Sequence, residues 1–210
     1  MHVSPRYSRE LLNFQKKPNV VTMETNISKF EPRTQYILDL LPELIAEGRK
    51  IIILTSRRDH IADFLKAITA SGVATVGPYV GGMKPEQLAE SKTKQILVAT
   101  YDMAEEGFDC QELDTLIMAT PKKEIEQCTG RIMRKKKNDR ARVPLIIDIA
   151  DEFSSFKSWT QYRIRFYKKK NYKLIEYNVV YGGGEVKTAT LKDWPWTAPP
   201  EAPPPEAPVV

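Results

Sequence analysis

The chain has little chemistry of the soft-ligand kind: two cysteines, Cys110 and Cys128, and two histidines, His2 and His60, in 210 residues. Two cysteines cannot build a disulfide framework, and they fit a reducing intracellular setting, cytoplasmic or nuclear. With so few sulfur and imidazole groups, no zinc site is expected. No apolar run approaches the roughly 20 residues that span a bilayer, and the N-terminus lacks the apolar core of a signal peptide. The loop G-x-x-x-x-G-K-[ST], which cradles nucleotide phosphates, occurs nowhere in the sequence. There is no internal repeat.

What is present is ordinary in amount and uneven in placement. Hydrophobic residues make up 41% and charged residues 28%, as in a soluble protein, and the length allows one compact domain with tails or two very small ones. The net charge is +5. Residues 131–142 carry seven Lys and Arg against Asp139, and residues 161–173 carry six with no acid, so each block holds +6 and everything else −7. A mildly acidic body with two basic blocks suggests a directed anionic partner, most simply nucleic acid.

Residues 1–30 are polar and mixed and read as an arm, with room for one edge strand at 19–25. Residues 31–48 carry apolar side chains at three-and-four spacing, Pro32 at a first helical position and Gly48 as a C-cap, which predicts a helix. Pro42 inside it predicts a kink or split. The run at 50–55, KIIILT, reads as a strand buried on both faces. Ser56 is placed to cap a helix over 57–70, ended by Gly72. A strand at 73–76, a turn at Gly81-Gly82 and a short helix at 85–91 follow. Further buried-strand runs lie at 95–100, 115–119 and 144–149. Short apolar strands alternating with helices predict an α/β fold with a parallel sheet. Residues 154–170 read as a basic, aromatic helix and 172–181 as a strand. From 182 the composition turns Gly- and Pro-rich, and the end, TAPPEAPPPEAPVV, cannot build a core and reads as disordered.

One stretch organises the rest. Residues 125–137, IEQCTGRIMRKKK, contain Gln127, Gly130, Arg131 and Arg134 as Q-x-x-G-R-x-x-R, a pattern expected by chance about once in a thousand chains of this length. On a helix Gln127, Arg131 and Arg134 share one face. Two guanidiniums and an amide there suit a phosphate chain whose charge grows in a transition state. A solvated basic helix face is the competing reading. In open parallel sheets ligands bind beyond the carboxyl ends of the strands. There Ser56 and Arg57 offer a hydroxyl and a cation, Gly82 a close backbone approach, Thr100 a second hydroxyl, and Gly107 with Asp109 a turn and a carboxylate. Each of these, taken alone, is also ordinary cap or turn chemistry.

Together and in order, these residues resemble the C-terminal RecA-like domain of superfamily 2 helicases and translocases. IIILTSRRDH looks like motif IV, ILVATYDMAEEGFDC like motif V and IEQCTGRIMR like motif VI, over roughly residues 33–153. Gln127, where DEAD-box proteins carry His, favours the DExH-type branches. The wording YVGGMK looks like helicases of large DNA viruses and phages, related to the repair-and-transcription type. The resemblance implies ATP with Mg²⁺ as cofactor, shared with an N-terminal RecA-like domain. It implies that Arg131 and Arg134 reach the γ-phosphate, with Arg134 as the finger, and that Gln127 positions nucleotide or water. Gly107 and Asp109 would lie at the nucleotide edge, and Ser56, Arg57, Gly82 and Thr100 on the backbone of a nucleic acid, DNA favoured over RNA.

The division expected is an arm over 1–30, the RecA-like domain over 31–153, a basic aromatic extension over 154–181 and a tail over 182–210. Asp148, Asp151 and Glu152 follow an apolar strand like a magnesium-binding Walker B end. They come after motif VI rather than before motif IV, and read instead as caps and surface charges. Without a phosphate loop, the chain is expected to be inactive as an ATPase alone. A stand-alone nucleic-acid-binding or regulatory module is the second reading. Its basic blocks and their aromatics, Tyr162, Phe166, Tyr167 and Tyr172, either contact bases or pack the C-terminal helix.

Overall fold

A computed structural model of the chain describes residues 8–105, 110–132, 142–182 and 185–193, with side chains for all of these except 131–132, 180–182 and 185–193. Two compact units emerge, Met1–Arg163 and Ile164–Val210.

The first unit is built on a parallel sheet. Its strands are β1 (Ile51–Thr55), β2 (Val76–Tyr79), β3 (Ile96–Thr100), β4 (Thr115–Met118) and β5 (Leu145–Asp148), in the order β2-β3-β1-β4-β5. All four pairings are parallel, with Thr55 opposite Thr100 and Leu54 opposite Met118. The apolar runs form strands because the central ones are covered on both faces: every residue of β1 and β4 is buried. The helices are α1 (Val20–Ser28), α2 (Glu31–Ala46), α3 (Arg58–Ser71), α4 (Pro85–Thr93), α5 (Tyr101–Glu105) and α6 (Glu126–Ile132). Ile37 and Leu41 of α2 and Ile61, Phe64 and Ile68 of α3 pack on Ile51, Ile53, Ile96, Val98 and Ile117 of the sheet to form the core.

Several local expectations shift. Residues 20–28 form a helix rather than an edge strand, capped by the Asn19 side chain, which accepts from Thr22 N at 3.2 Å. Helix α2 runs through Pro42, whose ring is exposed to solvent. It ends in a Schellman turn: Gly48, at φ +73°, donates to Ile45 O at 2.8 Å, and Arg49 N donates to Leu44 O at 3.1 Å. Strand β2 begins at Val76, three residues later than the composition suggests, and contains Gly77 and Pro78. A proline fits there because β2 is an edge strand and needs fewer N–H donors.

Helix α7 (Ser154–Lys169) follows β5. Its first turns belong to the first unit, where Phe156 packs with Met23 and Ile27 of α1 in a small separate core. In the second unit Phe166, Tyr167 and Tyr172 pack on one another, with ring centroids 5.8 to 6.2 Å apart. There β6 (Ile175–Gly182) pairs antiparallel with β7 (Glu185–Asp193). Residues 185–193 are therefore strand, where the sequence suggested the start of a disordered tail. Residues 194–210 lie outside the described residues.

Candidate nucleotide and strand interface

The sheet order brings the scattered motif residues to one edge. β2, β3 and β1 are neighbours, and the residues that follow or end them are Gly82, Thr100, Ser56 and Arg57. Ser56 and Gly82 are exposed, and Thr100 and Arg57 half-buried. Gly82 sits at φ +89° with open space where a Cβ would be, so its turn asks for glycine on backbone grounds and leaves room beside the chain. Arg58 donates to Gly81 O at 3.0 Å and so fixes the Gly81-Gly82 turn to the start of α3.

Ser56 does not cap that helix. The N-cap residue is Arg57, extended at φ −122° and ψ 126°, with no side-chain cap bond. Ser56 instead has its N–H on Thr120 Oγ1 at 2.8 Å, which ties the end of β1 to the segment after β4. Thr120 O in turn accepts from the buried Tyr101 hydroxyl at 2.5 Å. Burial pushes the Tyr101 hydroxyl well above its ordinary range, Cys128 adding to the effect, so it remains a donor. Burial raises the half-buried Glu24 carboxyl on α1 above its ordinary value, with Ser56, Arg57 and Lys122 opposing.

Helix α6 carries the Q-x-x-G-R start of the motif helix. Ile125, Cys128 and Thr129 are buried, while Gln127 and Gly130 are exposed on the other side. Thr129 Oγ1 donates back to Ile125 O at 2.8 Å and Cys128 Sγ to the same carbonyl at 3.2 Å. Burial, with Glu105 as second cause, pushes the Cys128 thiol up to about 12, so it is a packing residue rather than a nucleophile. Arg131 lies in α6 one turn after Gln127, with its side chain outside the described residues. Gly107, Asp109 and Arg134 lie outside the described residues altogether.

Asp148 and Asp151 have structural partners and are not the surface charges or caps expected from sequence, whereas Glu152 is exposed as expected. Asp148 accepts two bonds from Arg163, at 2.7 and 2.8 Å. Asp151 pairs with Arg33 at 2.9 Å, and each is at most 5% exposed at the side chain. Arg33 also donates to Ala119 O, leaving its Nε buried without a partner. Burial raises the Asp151 carboxyl above its ordinary value, with Arg33 opposing. Sequence reasoning missed both arginines because Arg33 reaches across 118 residues and Arg163 sits inside what looked like a solvated basic block. Among the described residues no group of three or more His, Cys, Asp or Glu is disposed to hold a metal ion.

A five-stranded parallel sheet with helices around it, and with Q-x-x-G-R on the helix after its fourth strand, defines a RecA-like domain of the superfamily 2 helicase type. Residues 33–136 match the helicase conserved C-terminal domain, and this part of the chain belongs to that family. The chain is 37% identical over 167 residues to protein L396 of Acanthamoeba polyphaga mimivirus, named for an ATP-dependent RNA helicase, covering 78% of this chain and 32% of that protein. It is 31% identical over 138 residues to QP509L of African swine fever virus (strain Badajoz 1971 Vero-adapted), which carries the same kind of name, covering 62% and 27%. The chain thus spans about a third of the length of these curated relatives. Among solved structures, T4 UvsW shares the fold with a TM-score of 0.57 at 17% identity, over 76% of this chain and 36% of that one. The helicase MrfA, bound to DNA and AMPPNP, does so at 0.51 and 18%, over 65% and 20%.

Proposed function

We propose that this chain is the C-terminal motor half of an ATP-dependent nucleic-acid helicase or translocase. The observation that carries the reading is the sheet order: Gly82, Thr100, Ser56 and Arg57 line the carboxyl ends of three adjacent strands, and α6 with exposed Gln127 leaves from the fourth. Hydroxyls, a glycine turn and a guanidinium in a row suit the repeated phosphates of a strand and read no base. DNA is the strand favoured from sequence, whereas the viral relatives carry RNA helicase names. Backbone contacts of this kind accommodate either.

The residues present fit half of an ATP site. Gln127, Arg131 and Arg134 are the groups that would meet a nucleotide, with Gly107 and Asp109 at its edge and Asp109 on the ribose. Arg134 is the proposed finger for charge on the γ-phosphate. ATP with Mg²⁺ supplies the phosphoryl transfer whose energy opens and closes the motor. Asp148 and Asp151 are committed to arginines, so Mg²⁺ falls to an ATP-binding domain, in the same native chain or in trans. The motor reading covers residues 31–153, with the basic extension and tail outside it.

The purified chain with Mg-ATP and DNA or RNA is expected to turn over no faster than buffer. Turnover that Arg134→Ala abolishes would overturn the assignment of a half-site. A binding module without catalysis predicts, in contrast, that Arg134→Ala is also silent in the full-length protein.

A further inference from the structure

Before α1 the chain makes a tight turn that the motor reading does not use. Leu12 and Pro18 pair in an antiparallel bridge, Asn13 N donates to Lys17 O at 2.8 Å, and Lys16 N donates to Asn13 O at 2.9 Å. Asn13 Oδ1 accepts from Gln15 N at 2.9 Å and from Lys17 N at 3.1 Å, and Lys16 takes the left-handed φ of +56° that closes the loop. Phe14 stands at the tip, fully exposed. A phenyl ring in water forgoes the burial that makes aromatic side chains favourable. Here the hydrogen-bonded turn holds the ring out.

The turn is anchored at the carboxyl end of the sheet. Ser154 Oγ, beyond the end of β5, donates to Glu10 Oε1 at 2.7 Å, and Asn19 N donates to Leu11 O at 2.7 Å. Leu11 packs on the small core of Met23, Ile27 and Phe156. Helix α1 then leads into α2, whose Arg33 reaches Ala119 O just past β4. Residues 11–23 hold Lys16 and Lys17, both exposed, and no acid. An exposed ring beside cations suits a single strand: a base stacks on the ring and the ammonium groups meet the phosphates. Leu12 and Val21 are exposed as well. The neighbours of Phe14 at the tip, however, are Asn13, Gln15 and the two lysines, and lysine is poorly suited to the dry centre of a protein interface.

We propose that Phe14 is a base-stacking platform for a single-stranded nucleic acid, with Lys16 and Lys17 on the adjoining phosphates. The proposal rests on the motor reading for the approach of a strand to this end of the sheet, and it extends the contact from phosphates to a base face. Every base has a π-face, so the platform takes any sequence of DNA or RNA. A duplex, whose bases are stacked on one another, offers it only an end.

The test is fluorescence anisotropy of the full chain with a labelled single-stranded oligonucleotide and with an abasic strand of the same length and charge. Phe14→Ala is expected to lower affinity for the base-bearing strand by roughly five- to a hundredfold, the range of one lost base–aromatic stack. On the abasic strand it should stay within about twofold of wild type, as a bland surface change does. Phe14→Trp keeps the affinity, whereas Phe14→Leu, apolar but without a ring, loses it as alanine does. Val143→Ala, at an exposed apolar residue just before β5 and so at the opposite end of the sheet, leaves both strands within about twofold. Equal losses on the two strands, or full affinity in Phe14→Leu, would remove stacking and overturn the proposal. A Phe14→Ala variant that binds the oligonucleotide normally but dissociates a dimer in analytical ultracentrifugation would assign the ring to a second copy of the chain and overturn it as well. If Arg57→Ala weakens binding while Phe14→Ala does not, the platform fails and the strand reading stands. If neither changes anything, both fail. Superimposable thermal melts for wild type and Phe14→Ala exclude unfolding as the source of any loss.

Discussion

Arg163 closes on Asp148 through two parallel hydrogen bonds of 2.7 and 2.8 Å, with its own side chain 1% exposed. Its third donor reaches Lys122 O at 2.8 Å. One guanidinium thereby joins the end of β5, the middle of α7 and the segment that leads into the motif helix α6. A fork-to-fork pair of this kind is rigid and directional, so the segment that carries Lys122 is held in place by a residue far from it in sequence.

Removing Arg163 takes two hydrogen bonds from Asp148 and one from the Lys122 carbonyl. Arg163→Ala is expected to cost roughly 3 to 5 kcal/mol, as for other broken buried pairs. Replacing both Arg163 and Asp148 by leucine is expected to recover much of that loss. Urea denaturation followed by circular dichroism measures both. A single variant within about 0.5 kcal/mol of wild type, the range of a bland surface change, would mean that the pair is not structural.

His60 makes stability depend on pH. Its ring lies between Thr55 Oγ1 at 3.1 Å and Thr34 Oγ1 at 3.0 Å, tilted against Phe64 with centroids 4.5 Å apart. Burial, and then Arg33, pushes its pKa down to about 3. The unfolded chain takes a proton near pH 6.5 while the folded one stays neutral. The stabilisation is therefore complete above pH 6.5 and is lost as pH falls toward 3, by up to about 1.4 kcal/mol per pH unit. Asp151 and Glu24, with raised values, act with the opposite sign. Comparison with His60→Gln isolates the histidine: between pH 6 and 4 the variant should lose less stability than wild type, and equal slopes would contradict the burial assigned to the ring.

Cys128 is expected to be silent toward thiol reagents in the native protein. It is 2% exposed and its pKa is pushed up to about 12. Iodoacetamide labelling at pH 8 followed by mass spectrometry should leave Cys128 unmodified until denaturant is added. Labelling of Cys128 in the native state would show that α6 opens readily.

Much of the fold could be read from sequence because the sheet announces itself. IIILT, ILVAT and TLIM are continuous apolar runs, and burial on both faces is the reason strands look like that. The same reasoning failed at β2, where Gly77 and Pro78 disguise an edge strand, and at α1, where a mixed stretch is helical because only Met23, Ile27 and Ser28 are buried. It also failed at β7, because glycines before it look like the end of a domain. Ser56, Arg57, Gly82, Thr100 and Gln127 can be nominated from sequence because each follows a strand or lies on the motif helix, and their contacts with strand and nucleotide are proposals. The pairings of Arg33 with Asp151 and of Arg163 with Asp148 could not be read, since the partners are distant in sequence and no local spacing reveals them. Arg163 in particular counted toward a basic block, yet its charge is spent inside the protein.

In the proposed motor half a nucleic-acid strand runs along the carboxyl ends of β2, β3 and β1. The most direct test is anisotropy with labelled single-stranded DNA, duplex DNA and RNA at two salt concentrations, using wild type, Arg57→Ala and a variant neutralised at Lys168, Lys169 and Lys170. Salt-sensitive binding that Arg57→Ala weakens is expected, with the salt slope reduced by about 0.7 to 1 for one lost phosphate contact. Binding that is indifferent to Arg57→Ala and lost only with the three lysines would contradict it and move the interface to the second unit.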